Sequence, residues 1–333
     1  MASWSGRGVG IGQVDDALLD LRRGEERAAT RISTINLVVV AEDDADAARA
    51  RNAMRQLGGR NPGRTVILMP DSAADPHVDA QVRLYHATVD ACPVWWEEVQ
   101  IKVGGPAGDH LDSLVEPLTL GDLPVTVWYP SAVPDPAEPL VGAADVVVVE
   151  SPPQPGEGGP TAGDTADGPV ADVFSRLLEL AQRRPLIDLS WIRLTPWRRL
   201  LVTLFDAGDF RHFAGVVDRA EVAARPGSAM LLAGWLEDRL ELPASSVSRR
   251  SASDATITLV ASGGGGIGRF SVAREEDDGF LTAVAEIEGG PRRQDAVTLP
   301  EDPLAAALAE ALTCVRHDRI YEMAIGAALG THR

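Results

Sequence analysis

A short segment rich in arginine and tryptophan carries the most distinctive chemistry of this sequence. It reads DLSWIRLTPWRRLLVTLF from Asp188 to Phe205. Thr195 followed by Pro196 predicts a helix start, with threonine as the N-cap and proline at the first helical position. Arginine is unfavourable in a first helical turn, because the positive end of the helix dipole lies there.

The arginines of this segment predict contact with a negatively charged group. Arg198 and Arg199 fall in that first turn and Arg193 lies just before it, in a chain of formal net charge -18. We therefore expect an acidic or phosphorylated group to face them, inside the protein or on a partner. Two interpretations stay open, an internal ion-pair cluster that braces the fold and a surface that binds a partner.

A glycine-rich stretch gives the nearest approach to a cofactor motif. Gly263 to Gly268 matches the letters G-x-G-x-x-G of dinucleotide-binding turns. Those turns lead into a helix whose N-terminus binds phosphate, whereas Arg269 to Arg274 alternates like a strand. The six histidines lack metal-ligand spacing, and the sequence has no G-x-S-x-G elbow, P-loop or H-E-x-x-H. We predict a hairpin turn here, no cofactor, no metal and no catalytic set.

Two adjacent tryptophans, Trp95 and Trp96, lie in a predicted strand and therefore point to opposite faces. One of them can enter the core, so the other is exposed at an edge or covered. Tryptophan is favoured at the centre of protein interfaces, which makes Trp96 a candidate for partner binding. Packing under the second domain is the alternative.

The two cysteines, Cys92 and Cys314, are far apart in sequence and fit two buried thiols, or a redox switch between them.

Several stretches, in register, resemble the glucose-6-phosphate dehydrogenase assembly protein family, also called OpcA, of actinobacteria and cyanobacteria. The arginine–tryptophan segment is similar to the family signature D-L-x-W-x-R-L-T-P-W-R. Asn61 stands where the family often has histidine, so we assign that position no role. Further similar blocks are Arg31–Val40, Asn61–Leu68, Trp96–Ile101, Leu123–Pro130 and Leu231–Leu236.

The resemblance implies a protein without catalytic activity of its own. It would bind glucose-6-phosphate dehydrogenase, promote the active oligomer and so act in the oxidative pentose phosphate pathway. The residues expected to bind the partner are Trp191, Arg193, Thr195, Trp197, Arg198, Arg199, Arg64 and Trp96. The alternative is an enzyme or sensor that binds a sugar phosphate or nucleotide through the four arginines of that set.

Hydrophobic periodicity and turn residues divide the chain into two domains. Residues 1–30 predict a leader with one short helix, and residues 31–151 an α/β domain with a mixed sheet. Residues 152–169, rich in glycine and proline, predict a linker. Residues 170–333 predict an α+β domain with helices and an antiparallel meander. Its predicted helices include one near Phe210–Ala224 and a last one from about Pro303.

Composition excludes several classes of function. The net charge of -18 argues against binding to nucleic acid or to an anionic membrane surface. Apolar runs such as Val146–Val149 have the length of a strand and are too short to span a bilayer. The N-terminus lacks the apolar core of a signal peptide. We therefore expect a cytoplasmic protein.

Overall fold

The computed structural model describes residues 2–24, 33–57, 61, 63–89, 92–151, 167–206, 208–263, 266–274, 279–313 and 317–331. The chain divides into two compact units. The first unit comprises Met1–Pro155, Leu180–Ile187 and Leu304–His317. The second comprises Gly156–Glu179, Asp188–Pro303 and Asp318–Arg333. Most of the predicted linker, 152–166, and Cys314 lie outside the described residues.

Strands and helices alternate in the first part of the chain, as predicted. The elements are β1 (Ala2–Gly6), α1 (Ile11–Gly24), β2 (Ile35–Val40), α2 (Asp44–Gln56), β3 (Gly63–Asp71), β4 (His77–Val89), β5 (Cys92–Gly104), α3 (Leu111–Val115), β6 (Val125–Tyr129), α4 (Pro139–Ala143), β7 (Val146–Val149), α5 (Asp167–Arg183) and β8 (Leu186–Asp188). Short 3-10 turns at Gly105–Asp109 and Glu116–Leu118 flank α3.

The strands form one eight-stranded sheet in the order β1-β4-β5-β3-β2-β6-β7-β8. β2 pairs in parallel with β3 and β6, and the outer neighbours β5 and β7 continue this parallel pairing. β4 and β1 add an antiparallel edge, so the sheet is mixed as predicted. Without that edge, the strand order is β5-β3-β2-β6-β7-β8. When these six strands are renumbered along the chain, the order is 3-2-1-4-5-6, which is the order of doubly wound dinucleotide-binding sheets.

The central strands are mostly apolar, as expected where both faces of a sheet are covered. All four valines of β7 are buried, and five of the six residues of β2 are buried. Gly63 lets β3 approach β2 closely, since a Cβ atom there would lie 2.2 Å from the carbonyl oxygen of Ile35. Since β2 and β3 pair in parallel and α2 connects them, the predicted β-α-β unit is confirmed.

The start of the chain differs from the expected leader. α1 confirms the short helix, with Val14 and Leu18 buried. β1 was not predicted, because five residues with only one large apolar side chain, Trp4, give little strand signal. Pairing with β4, where Trp4 lies opposite Val82, makes β1 the edge of the sheet.

Helices and a second sheet follow in the rest of the chain. The elements are α6 (Leu189–Arg193), α7 (Thr195–Asp206), β9 (Val217–Ala224), α8 (Pro226–Arg239), β10 (Val247–Ser251), β11 (Thr256–Gly263), β12 (Gly266–Arg274), β13 (Phe280–Ile287), β14 (Arg292–Thr298), α9 (Pro303–Ala311) and α10 (Arg319–Ala328). The six-stranded sheet has the order β10-β9-β11-β12-β13-β14. The four strands from β11 to β14 are the predicted antiparallel meander.

One expectation for this region was wrong, and one helix was missed. The helix predicted near Phe210–Ala224 is a 3-10 turn at Arg211–Gly215 followed by β9. β9 pairs with β10 and β11, and this long-range ladder overrides the helix propensity of its alanines. The separate helix α10, which packs against α8, was not predicted either. Gly234 of α8 allows that packing, since a Cβ atom there would lie 2.0 Å from the carbonyl oxygen of Ala324.

Candidate functional site

The arginine–tryptophan segment forms two consecutive helices in the second unit. Asp188 caps α6, where its Oδ1 accepts from the Ser190 backbone N–H at 2.8 Å. α7 begins at Thr195, and the Arg198 N–H donates to the Leu194 carbonyl at 3.2 Å. Leu194 therefore occupies the N-cap position predicted for Thr195. The helices follow each other without an extended residue, because Leu194 keeps a helical backbone.

The guanidinium group of Arg198 is held between the two helices. Its Cζ lies 3.4 Å from the centroid of the Trp191 ring. Its Nη2 donates to the Trp191 carbonyl at 3.1 Å and to the Thr195 hydroxyl at 2.9 Å. The Trp191 carbonyl is in the last turn of α6, at the negative end of the helix dipole, where a cation is favourable. This contact offsets the unfavourable position of Arg198 in the first turn of α7.

A pair of capping aspartates ties α6 to α10. Asp188 caps α6 and its Oδ2 accepts from the hydroxyl of Tyr321 on α10 at 2.9 Å. Asp318 caps α10, and its Oδ2 accepts from Nε1 of Trp191 on α6 at 2.9 Å. The Trp191 and Tyr321 rings lie 5.8 Å apart between these bonds. Each helix therefore supplies the ring that binds the cap of the other helix, and the two cross-links hold them together.

The other residues of the segment differ in exposure. Trp197 is half-buried, and its Nε1 donates to the Ala255 carbonyl at 2.9 Å. Arg193 is half-buried and donates to the Ser190 hydroxyl at 3.3 Å. Arg199 is exposed. Of the three arginines expected to face an acidic group, Arg198 lies against an indole ring and Arg199 points to the surface.

Arg64, also expected to bind the partner, is buried in the first unit. Its Nε donates to Oε2 of Glu97 at 2.8 Å, and its Nη1 donates to the Leu118 carbonyl. Arg22 of α1 binds the same carboxylate with two bonds of 2.6 Å. Burial lowers the pKa of Arg64, although Glu97 opposes that shift. Burial acts to raise the pKa of Glu97, but the bonds and charges of Arg22 and Arg64 outweigh it, and that pKa lies below its usual range.

Trp95 and Trp96 point to opposite faces of β5, as predicted. Trp95 is buried at 9% exposure and packs on Leu84. Trp96 is half-buried and stacks on Tyr85 of β4, with ring centroids 5.4 Å apart and planes inclined by 13°. Glu97 follows Trp96 in β5, so the two side chains point to opposite faces of the sheet. Arg64 contacts Glu97 and therefore lies on the face opposite Trp96.

A groove that was not predicted from the sequence lies on the Trp96 face of this sheet. It has a volume of about 400 Å³ and is lined by Ala48, Arg51, Asn52, Arg55, Arg83 and Tyr85. The spacing of Arg51 and Arg55 is a sequence signal for one helix face. That spacing did not reveal the strand residues opposite, which come from β4.

The turn after β2 is the place where dinucleotide-binding sheets hold a pyrophosphate. Here it carries acidic side chains in place of glycines, from Glu42 to Asp46. Asp43 caps α2 by accepting from the Asp46 N–H at 2.8 Å. Burial, followed by the charges of Asp46 and Asp43, raises the pKa of Glu42. An anionic ligand would therefore meet negative charge at this helix N-terminus.

Protein groups occupy the neighbouring positions at the same end of the sheet. Arg49 binds the buried Glu150 at 2.7 Å and donates to the Pro130 carbonyl at 2.6 Å. The Ser131 hydroxyl donates to Asp46 at 2.6 Å.

Within the described residues, no group of three histidine, cysteine or acidic side chains is placed to hold a metal ion. No helix in the described part of the chain is long and apolar enough to cross a membrane.

Comparisons with known families match both halves of the chain. Residues 54–153 match a model described as the N-terminal domain of a glucose-6-phosphate dehydrogenase subunit. Residues 184–325, which include the arginine–tryptophan segment, match a model described as the C-terminal domain of such a subunit. Both are models of OpcA domains, and they match in order.

The chain belongs to the OpcA family. It is 29% identical over 216 residues to the "Putative OxPP cycle protein OpcA" of Nostoc punctiforme. That match covers 60% of this chain and 42% of the Nostoc protein, so the chain aligns with less than half the length of this relative.

A solved structure shares the fold. The crystal structure titled glucose-6-phosphate 1-dehydrogenase from Mycobacterium avium aligns over 89% of this chain and 90% of that chain, with a TM-score of 0.50. The sequence identity is 12%. At this identity the likeness concerns the fold alone.

Proposed function

We propose that this OpcA-family chain is a non-catalytic assembly factor and activator of glucose-6-phosphate dehydrogenase. It binds the dehydrogenase in the cytoplasm, promotes the active oligomer and raises flux through the oxidative pentose phosphate pathway. The observation that carries this proposal is the ordered match of 54–153 and 184–325 to two domains described as parts of a dehydrogenase subunit. The name of the Nostoc relative places that protein in the same pathway.

The residues of the turn after β2, where dinucleotide-binding sheets hold their cofactor, support a role without catalysis. A dinucleotide-binding turn needs glycines, so that backbone N–H groups can approach the pyrophosphate. In this chain the corresponding turn presents Glu42, Asp43 and Asp44, and the helix N-terminus is already capped by Asp43. Gly266, the other glycine-rich candidate, begins strand β12 rather than a helix.

The partner surface we propose uses the exposed side of the arginine–tryptophan segment. Arg199 is available there, and Arg193 and Trp197 are half-buried. Trp191 and Arg198 then support this surface from inside the second unit. A binding protein of this kind can activate the dehydrogenase only if it binds the active state of the dehydrogenase more tightly than the inactive state.

Co-expression with the dehydrogenase of the same genome tests this function. We expect the two chains to co-purify and the dehydrogenase to have a higher specific activity than when it is expressed alone. An Arg199→Glu variant is expected to co-purify less, and Arg250→Glu serves as its control, since Arg250 lies on β10 and pairs with Glu221. Turnover of glucose 6-phosphate by the isolated chain would contradict the proposal.

A further inference from the structure

The groove beside Trp96 gathers positive charge in an acidic protein. Arg51 and Arg55 are one helical turn apart on α2 and share a face. Arg83 and Tyr85 alternate on β4 and also share a face, so two elements contribute to the same cavity. The volume of about 400 Å³ falls within the range of sites for small metabolites.

Two of these arginines have no acidic partner among the described residues. Arg83 pairs with the buried Glu98 and also donates to Gln81. Arg51 donates to the neutral amide oxygen of Gln100 at 2.8 Å. Among the described residues, neither Arg51 nor Arg55 has a carboxylate at ion-pair distance. The groove therefore carries about two positive charges, although the chain as a whole has a net charge of -18.

Tyr85 gives the groove an aromatic wall. Trp96 stacks against this ring from β5 and fixes its orientation. Burial and the charge of Glu98 raise the pKa of Tyr85, despite the arginines nearby. The phenol therefore stays protonated at neutral pH, and its hydroxyl is available as a hydrogen-bond donor.

We propose that this groove binds the phosphate group of a small metabolite that carries a ring, such as a sugar phosphate or a nucleotide. Arg51 and Arg55 hold the phosphate oxygens, because guanidinium groups match phosphate geometry with paired, charge-assisted hydrogen bonds. Asn52 lies between them on α2, and Tyr85 packs against the ring. The groove differs from the site expected from sequence, since Arg64 and Arg198 are bound by protein groups.

Calorimetric titration of the full chain tests this site without the dehydrogenase. The probes are inorganic phosphate, glucose 6-phosphate and AMP, each up to millimolar concentration. We expect at least one of the two metabolites to bind more tightly than inorganic phosphate. The double variant Arg51→Gln with Arg55→Gln is expected to weaken that binding about tenfold or more, because it removes charged hydrogen bonds.

A matched double variant controls for net charge. Arg7→Gln with Arg23→Gln removes the same two charges from exposed positions of the first unit and is expected to leave binding unchanged. Arg55→Gln alone tests the site if the first pair impairs folding, since Arg55 is exposed. The proposal is overturned if no probe binds, if the groove variants bind like the control, or if inorganic phosphate binds as tightly as both metabolites.

Discussion

Replacing Arg198 should destabilise the second unit, whereas replacing its neighbour Arg199 should not. Arg198→Ala removes a cation 3.4 Å from the Trp191 ring, worth about 0.5–2 kcal/mol. It also removes hydrogen bonds to the Trp191 carbonyl and the Thr195 hydroxyl, each worth about 1–2 kcal/mol. Because one guanidinium makes all three contacts, they are not additive, and we expect a loss of roughly 2–4 kcal/mol.

Arg199→Ala is the matched control, since it removes the same side chain from the next position of α7. Arg199 is exposed, so its replacement should change the free energy of unfolding by no more than about 0.5 kcal/mol. Urea unfolding followed by tryptophan fluorescence measures both variants. We expect a lower midpoint for Arg198→Ala, with an unchanged slope, and a midpoint close to wild type for Arg199→Ala.

Binding to the dehydrogenase separates the two roles. Folded Arg198→Ala protein should still bind, whereas Arg199→Glu should bind more weakly. Equal midpoints for the two alanine variants, with binding lost only in Arg198→Ala, would show that Arg198 contacts the partner and does not brace the unit.

Three further changes test other parts of the structure. Tyr321→Phe removes the hydroxyl that binds the buried Asp188 and should cost about 1.5–3 kcal/mol in urea unfolding; an unchanged midpoint would mean that this cross-link is not formed. Gly234→Ala should destabilise by about 1–3 kcal/mol, because its Cβ would overlap the Ala324 carbonyl; in a free helix the same change stabilises, so a higher midpoint would contradict the close packing. The folded-state pKa of Glu97 lies below its ordinary value of 4.5, so its ion pair stabilises the protein above about pH 4.5 and is lost as the pH falls through the folded pKa. The urea midpoints of wild type and Glu97→Gln should therefore converge at acidic pH, and a constant difference would refute the assignment.

Local sequence patterns predicted most of the fold. The buried strands β2 and β7 and the alternating strands β11 to β13 have clear periodicity, and each was found. β9 and β1 were missed because their strand character depends on pairing partners distant in sequence. The switch from helix to strand in β9 follows from its ladders with β10 and β11.

The candidate site was predicted less completely than the fold. The sequence identified the arginine–tryptophan segment as unusual. Arg198 does lie in a first helical turn, where the helix dipole disfavours a positive charge. The groups that bind the Arg198 guanidinium are near it in sequence. Asp318, which binds Nε1 of Trp191, and Tyr321, whose ring packs against Trp191, are more than a hundred residues away. The arginine groove likewise joins α2 to β4, and a single sequence carries no information about that proximity.

We propose above all that this chain activates glucose-6-phosphate dehydrogenase by binding to it. The most direct measurement titrates the purified dehydrogenase of the same genome with the isolated chain and follows the initial rate of NADP reduction. The account predicts a saturable rise in specific activity, with both proteins eluting together in size-exclusion chromatography at saturation. A constant specific activity and separate elution at every ratio would contradict it.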